Sequence, residues 1–513
     1  MNEIVKEFSF GKDGQDKVFA GVETLTKAVA STLGAGGYCV MFENEVGIPV
    51  ITKDGVTVAE LSVLLEPVAN MGASLIKQAA TRTVQEAGDG TTTATVLAYA
   101  ILNEFRNSDI KFTARETSEA IKTVTEQVDD YLVRTSKVID NSMLTEVATI
   151  STNNDPVLGK LISDAYKSVD LTGVVMMETS NDGETSLDVI DGVQYDKGFT
   201  NNHFVNNKVN NTSELHNAKV LLVDSPIDSI RQIQTVLEHV IKNSIALLIV
   251  GDVDPKVTST LAMNSNKGSV KINVVPAPIH GVNRKEIFDD LALLTGATVV
   301  SENLGDDLDM IDLNFLGDCD KVTSTFADTV FQINDHQLES VATIIGNIKT
   351  QLETEKNPGK VIKLEKRLAM LSAKVAVVKV GGNSDVELNE KRDRVEDAIC
   401  ATKAAIKEGV VAGGGIALLN AAQSVTAKNP AEELVVKAMA YPFKTILENA
   451  GIVCDELPSK VNQGYNAKNG AVVDMFEAGI LDPVLVTRSA LKNAASVAST
   501  ILSTNCVMSN LRG

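Results

Sequence analysis

Ala87-Gly88-Asp89-Gly90-Thr91-Thr92-Thr93-Ala94-Thr95-Val96-Leu97 is the stretch from which the rest of the chain can be read. Two glycines bracket an aspartate, and three threonines lead into an Ala/Leu-rich run to Leu102 with helical character. Free N–H groups of a helix's first turn then lie beside threonine hydroxyls, which makes a phosphate cradle. A carboxylate at Asp89 repels phosphate unless a hard divalent cation lies between them, and Mg²⁺ prefers one or two carboxylates plus phosphate oxygens. A Gly-rich turn whose threonines cap a helix explains the same residues equally well. The chain contains no G-x-x-x-x-G-K-[ST] loop, so a nucleotide bound here is held by another architecture.

At 513 residues the chain is long enough for two to four domains. Aromatic residues make up 4% with no Trp, and the formal charge is −20, which together oppose nucleic-acid binding. The charge is otherwise read as solubility. The five cysteines (Cys39, Cys319, Cys400, Cys454, Cys506) are widely spaced with no C-x-x-C pair, which argues against a disulfide framework or zinc site and for a reducing compartment. The first residues lack the pattern of a signal peptide, and no apolar run reaches membrane-spanning length, so a cytoplasmic protein without membrane contact is expected.

Taken in order, residues 16–33 have helical spacing and end in Gly34-Ala35-Gly36-Gly37. Ile51-Thr52-Lys53-Asp54-Gly55-Val56-Thr57-Val58 reads as a hairpin turning at Asp-Gly, and residues 60–86 as one long helix with Met71, Leu75 and Ile76 inward. Further helices are expected over 113–136 and near 156–169, with strands at 173–178 and 186–190. After Asp191-Gly192, strands at 220–223, 245–250, 272–275 and 298–300 alternate with helical stretches, which argues for an α/β unit with parallel strands. No G-x-G-x-x-G follows any of them. Residues 336–372 suggest a helical hairpin broken at Asn357-Pro358-Gly359, followed by a strand over 375–380 and a long helix over 386–408 carrying Asp397. A lone aspartate there reads as part of a solvated face. Gly413-Gly414-Gly415 opens a helix, a longer one covers 431–449, and Asp482 before Pro483 is placed as the N-cap of a helix reaching Leu502.

The order of these motifs is more specific than any one of them. Thr32-Leu33-Gly34, Ile51 to Val56, Ala87 to Leu97, Val395-Glu396-Asp397-Ala398, Glu408 to Gly415, Tyr465-Asn466-Ala467 and Gly479-Ile480-Leu481-Asp482-Pro483 together resemble the GroEL-type, group I chaperonins nearly end to end. The resemblance implies a multidomain α+β and α/β subunit. Residues 1–136 and 408–513 would form a largely helical equatorial ATPase domain, 137–190 and 375–407 a small intermediate domain, and 191–374 an α/β apical domain that binds substrate. By the same similarity Thr32, Leu33, Gly34, Gly90, Thr91, Thr92 and Thr93 would hold the ATP phosphates, and Asp89 would bind Mg²⁺. Gly414, Asn466, Ala467, Ile480 and Asp482 would surround ribose and base, with Ile150 at the border. Thr32 and Lys53 fall where the family binds K⁺ through the backbone. Asp54 and Asp397 would be the catalytic carboxylates, Asp397 swinging in with the intermediate domain.

Departures from the family pattern bear on partners. The family's apical groove is a row of large apolar residues that takes non-native protein or a GroES-type lid. The corresponding positions here are Phe199-Thr200-Asn201-Asn202-His203-Phe204, Gln234, Leu237, Thr258, Ala262 and Met263. Phe199, Phe204, Leu237 and Met263 are expected to keep a smaller apolar surface for clients. At the upper hinge Gly192 remains, but the return strand reads Leu371-Ser372-Ala373-Lys374-Val375. At the lower hinge Gly409 remains, while the family's proline is replaced near Lys137. Ala450-Gly451-Ile452-Val453-Cys454 replaces an acidic pair, leaving Lys444 without its partner across rings, the stretch near Lys428 to Glu433 is short, and a Gly-Met-rich tail is missing after Arg512-Gly513. A homo-oligomeric, heptameric ring, single or double, is expected, of the kind a virus-encoded or otherwise specialised chaperonin would form. The rivals are a ring-forming holdase with little hydrolysis and a stand-alone ATP-dependent transferase.

Overall fold

The computed structural model describes residues 6–43, 47, 49–169, 174–180, 183–208, 211–278, 282–302, 305–308, 311–332, 343–348, 350–351, 364, 367–368, 371, 374–382, 384–454, 457–458 and 460–510. Asn357-Pro358-Gly359, Ser372-Ala373 and Arg512-Gly513 lie outside the described residues. The chain divides into two compact units, one of Met1–Asp164, Thr179–Ser186 and Val380–Gly513, the other of Ala165–Glu178 and Leu187–Lys379.

The first unit begins with β1 (Lys6–Phe10) and α1 (Gly11–Ala30), followed by the hairpin of β2 (Val40–Glu43) and β3 (Pro49–Thr52). The Asp-Gly turn expected at 54–55 is instead a helix start. Asp54 caps α2 (Gly55–Leu61) by accepting from the N–H groups of Val56 and Thr57, so the aspartate that suggested a hairpin satisfies helix donors. The helix expected over 60–86 is likewise interrupted: α2 stops at Leu61, and α3 (Pro67–Ala87) restarts with Glu66 as cap and Pro67 in its first turn. Ile76 is fully buried, but Met71 is exposed. Then come α4 (Thr91–Arg106), α5 (Ala114–Thr135) with a Thr113/Glu116 capping box, α6 (Asn141–Ser151) and α7 (Pro156–Ser168).

After the second unit the chain supplies α11 (Asp385–Glu408), β13 (Val410–Ala412), α12 (Ile416–Ser424), α13 (Pro430–Ala438) and α14 (Tyr441–Asn449), then β14 (Gln463–Tyr465), β15 (Val472–Asp474), β16 (Leu481–Pro483), α15 (Val484–Leu502) and β17 (Cys506–Asn510). The helix expected over 431–449 is thus two, divided just before Pro442, a residue that fits a first turn and not a helix interior. The core is rich in alanine: Ala73 and Ala79 of α3, Ala94 and Ala98 of α4, and Ala494 and Ala498 of α15 are all fully buried. Small side chains let these helices approach closely, and Val22, Leu25, Leu97, Ile101, Val128 and Val435 fill the remaining space. The chain ends meet as β1 pairs antiparallel with β17.

The second unit is a sheet in the order β4-β12-β5-β11-β10-β6-β7-β8, with β9 pairing β6. Its strands are β4 (Val174–Thr179), β5 (Ser186–Tyr195), β6 (Ser213–Ile227), β7 (Ala246–Val253), β8 (Lys271–Val275), β9 (Val299–Val300), β10 (Gly317–Ser324), β11 (Thr329–Gln332) and β12 (Lys374–Val380). β6 pairs in parallel with β7 and β9, and β7 with β8, as the alternation of strands and helices predicts. Helices α8 (Gln234–Asn243), α9 (Pro255–Asn266) and α10 (Val282–Thr295) connect them. Leu221, Val223, Leu247 and Ile249 belong to one buried cluster and Val220, Leu222, Leu248 and Val250 to another, which is why these strands are apolar at every position. β5 runs unbroken through Asp191-Gly192, and Gly192 pairs with Gln332 of β11. No described helix is long and apolar enough to cross a membrane.

Candidate functional site

The link between α3 and α4 is Gly88-Asp89-Gly90, and both glycines have left-handed backbones, with φ of 76° and 95°. Gly88 closes α3 by donating to the Val84 carbonyl at 2.7 Å. Gly90 opens α4 without any side-chain cap, and the first helical amide bond is from Ala94 to Gly90. The amides of Thr91, Thr92 and Thr93 therefore lack helical partners. The Thr91 hydroxyl is buried and has no hydrogen-bond partner among the described residues. Asp89 Oδ1 accepts from the Gly90 N–H, which holds the carboxylate beside these donors.

Other elements reach this turn through close packing. A Cβ on Gly88 would lie 2.5 Å from Cβ of Cys400, so α11 lies directly against the loop. A Cβ on Gly55 would lie 2.2 Å from the Thr92 hydroxyl and 3.6 Å from that of Thr32, so the start of α2, the end of α1 and the start of α4 converge. Asp54 is held by Val56 N–H at 3.0 Å, Thr57 N–H at 2.8 Å and Thr57 O–H at 2.6 Å. Thr32, Leu33 and Gly34 form the turn after α1, where Asn449 Nδ2 donates to the carbonyls of Ala30 and Leu33, each at 2.9 Å. Lys53 donates to Asn153 Oδ1 at 3.1 Å, and the Asn153 N–H donates to the carbonyl of Ile150 at the end of α6.

Asp482 does not cap α15 as expected. That cap position is Pro483, and Asp482 lies in β16 opposite Val411, accepting from the N–H groups of Gly414 and Gly415. Ile480 accepts from the Gly413 N–H at 2.8 Å. Met475 packs where a Cβ on either Gly414 or Gly464 would lie, bringing β14 alongside the glycine run. Asn466, just after β14, spends its side-chain oxygen on Lys468 N–H and its carbonyl on Asn469 and Gly470, shaping the loop that carries Ala467.

The carboxylates form one electrostatic group. Asp397 lies well above the usual carboxylate range through burial first, then the charges of Asp89, Asp54, Glu396 and Asp393. Burial, then the Asp54 charge, also raises Asp89 against the opposing Gly90 hydrogen bond. Asp482 is pushed up to about 7 by burial and Asp89 despite its two backbone donors, and Asp393 to about 6 by burial and Asp54. Each keeps a solvent-facing side. Negative charge concentrated beside unpartnered amides suits a cation bridging protein carboxylate to phosphate. Among the described residues no three His, Cys, Asp or Glu side chains could hold a metal by themselves, so Mg²⁺ on Asp89 would complete its shell with phosphate and water. Asp89, the open amides and the orphaned Thr91 hydroxyl fit that group.

Sequence reasoning missed four contributors. Asn449 and Met475 carried no signal, being an amide near a helix end and a methionine in a turn-rich stretch. Cys400 is three residues beyond Asp397 on the Ala-rich side of α11, and Asp393 one turn before it, so helical spacing from Asp397 finds both.

The chain belongs to the TCP-1/cpn60 chaperonin family, whose model matches residues 25–512. It is an ATP-hydrolysing chaperonin acting in protein folding, and membership carries with it ATP and magnesium binding, oligomeric assembly and uptake of client polypeptide. Among solved structures it is similar to the chaperonin gp146 from the bacteriophage EL 2 (Pseudomonas aeruginosa) in the presence of ATP-BeFx. Crystal form II matches with a TM-score of 0.74 at 21% identity, and form I with 0.66 at 20%, each over 99% of both chains.

The expected client groove needs correction. Phe199, Phe204 and Leu237 are buried in the second unit, at 7%, 1% and 8% exposure, and only Met263 of the four stands out, at 56%. Leu237 is on the face of α8 that packs with Val236 and Val240 against the sheet, and Phe204 belongs to the same cluster. The outward positions are Gln234, Thr235, Glu238, Ile241 and Lys242 on α8, and Lys256, Ser259, Thr260, Met263 and Asn264 on α9.

Proposed function

We propose that ATP is hydrolysed at the turn between α3 and α4. The supporting observation is the pair of left-handed glycines that leaves three helix amides open beside Asp89, with α11 packed against the loop through Cys400. Thr32, Leu33, Gly34, Gly90, Thr91, Thr92 and Thr93 bind the phosphates, and Gly414, Asn466, Ala467, Ile480 and Asp482 the ribose and base, with Ile150 at the border. Asp89 would hold Mg²⁺, which would supply charge neutralisation at the phosphates, and the backbones of Thr32 and Lys53 would hold K⁺. Asp397, with its raised proton affinity, orients the attacking water and takes its proton, while Asp54 stays fixed at the cap of α2 and polarises the same water. ATP-BeFx accompanied the similar phage chaperonin, which supports a phosphate site of this kind.

The domain reading follows the same line: 1–136 with 408–513 equatorial, 137–190 with 375–407 intermediate, and 191–374 apical. Clients meet the outward face of α8 and α9, where Ile241 and Met263 are the exposed large apolar residues. At about 25 cal/mol per Å² of apolar surface, so polar a face holds a client or a GroES-type lid weakly. The oligomer is a heptameric ring in the cytoplasm. The hairpin β2–β3 exposes Met41 and Ile51, and the β1–β17 pair exposes Phe8, Phe10 and Met508. Two-stranded sheets are marginal alone, and packing between subunits covers them. Light scattering on the 54.6 kDa subunit tests this, with and without Mg-ATP. A heptamer or pair of heptamers supports the reading, and a monomer in both conditions favours a stand-alone transferase.

A further inference from the structure

A second cavity lies in the first unit, apart from every residue assigned to nucleotide. It has a volume of about 230 Å³ and is bounded by Lys137, Val411, Ala412, Ala417, Asn420 and Phe476, with the turn at Asn462 closing one side. Three features mark it as more than a packing defect. The Lys137 ammonium stands 3.7 Å from the centre of the Phe476 ring, so a cation and an aromatic face form one wall together. Asn420, in the interior of α12, is only 4% exposed, and its Oδ1 has no hydrogen-bond partner among the described residues. A buried amide oxygen normally finds a donor. Val411, Ala412 and Ala417 add apolar surface to the lining.

The walls are also firmly built. Lys137 and Val410 exchange two backbone hydrogen bonds of 2.9 Å, fixing the lysine beside β13. Asn462 has a left-handed backbone, φ 61°, and its carbonyl accepts from the Met475 N–H at 2.9 Å, which holds that turn next to Phe476.

We propose that this cavity binds a small carboxylic acid carrying one ring and a hydroxyl or amino donor. The carboxylate pairs with Lys137, the donor satisfies Asn420 Oδ1, and the ring lies against Val411, Ala412 and Ala417. An apolar cavity of about 150 Å³ holds benzene, so this one has room for a ring with two substituents. Such an occupant touches Val411 and Ala412 of β13, and Gly414 and Gly415 shortly after that strand donate to Asp482.

The test is calorimetric titration of 4-hydroxybenzoate into the nucleotide-free full chain, with benzoate and phenol for comparison. Saturable binding is expected, weakened about tenfold or more by Asn420→Leu or Lys137→Met, since each removes one polar contact. Benzoate and phenol are expected to bind the parent protein as weakly as those variants bind 4-hydroxybenzoate. Ala417→Phe fills the space and is expected to abolish binding with circular dichroism and native mass unchanged. It decides the matter even if Asn420→Leu does not fold. No saturable binding at millimolar 4-hydroxybenzoate, or equal affinity for parent and Ala417→Phe, overturns the proposal.

Discussion

The turn at Gly88-Asp89-Gly90 and the outward face of α8 and α9 both present polar groups, but they come by them differently. At the turn, backbone conformation makes the site: two left-handed glycines end one helix and begin another, and the groups on display are peptide amides and one carboxylate. On α8 and α9 the polar character comes from which way the helices face. Their apolar residues, Leu237 and Ala262 among them, pack inward on the sheet, and whatever is left faces out. A site made by backbone tolerates little change at its glycines, whereas a face made by helix rotation tolerates polar exchange and fails when an inward residue is altered.

The largest effect expected is on chemistry. Asp397→Ala should cut ATP turnover by roughly 10² to 10³, the usual worth of a positioned proton acceptor, while ATP binding survives. A variant that hydrolyses at the parental rate removes Asp397 from the mechanism, leaving the turn as a binding site only.

Next in size is a pair of substitutions on the helices. Leu237→Ala should cost about 2 to 4 kcal/mol of stability in denaturant unfolding, because it empties a core position, whereas Met263→Ala should stay within about 0.5 kcal/mol and lower client capture. The reverse pattern, with Leu237→Ala stable and deficient in capture, would mean that α8 turns the other face outward. Gly88→Ala should follow at about 1 to 3 kcal/mol, since its Cβ meets that of Cys400 in a backbone region disfavoured for alanine. Full stability in that variant would argue that α11 does not press on the loop.

The same contrast explains what could be read in advance. Parallel strands β6, β7, β8 and β9 were legible because strands buried on both faces must be apolar throughout, and the break between α3 and α4 was legible because glycines on both sides of an aspartate end one helix and start another. The Asp-Gly pair at 54–55 misled because aspartate serves hairpin turns and helix caps alike. Asp482 misled similarly: it precedes a proline and a helix, but amides of a distant glycine run claim its oxygens. The client groove misled because position on a helix does not say which stripe is buried. Gln234 and Leu237 are less than one turn apart on α8, yet Leu237 packs on the sheet while Gln234 faces out.

The smallest effect separates electrostatic crowding from packing. Asp393 sits one turn before Asp397, and burial with the Asp54 charge, against Arg392, raises its carboxyl to about 6. Unfolded, it titrates near 4. The folded chain therefore binds the proton more tightly, and the stability this gives is fully present below about pH 4 and lost as pH rises through about 6. Asparagine never carries the charge. Asp393→Asn should accordingly unfold like the parent at low pH and be more stable at pH 8, by on the order of 1 kcal/mol once the screening of this exposed side chain is allowed for. Denaturant melts of the nucleotide-free protein at about pH 3.5 and about pH 8 measure it. An equal advantage at both values would trace the gain to packing on α11 and not to charge. A gain confined to the higher pH would show that the carboxylates around the turn are held together at a cost in stability, which a cation brought with the nucleotide relieves.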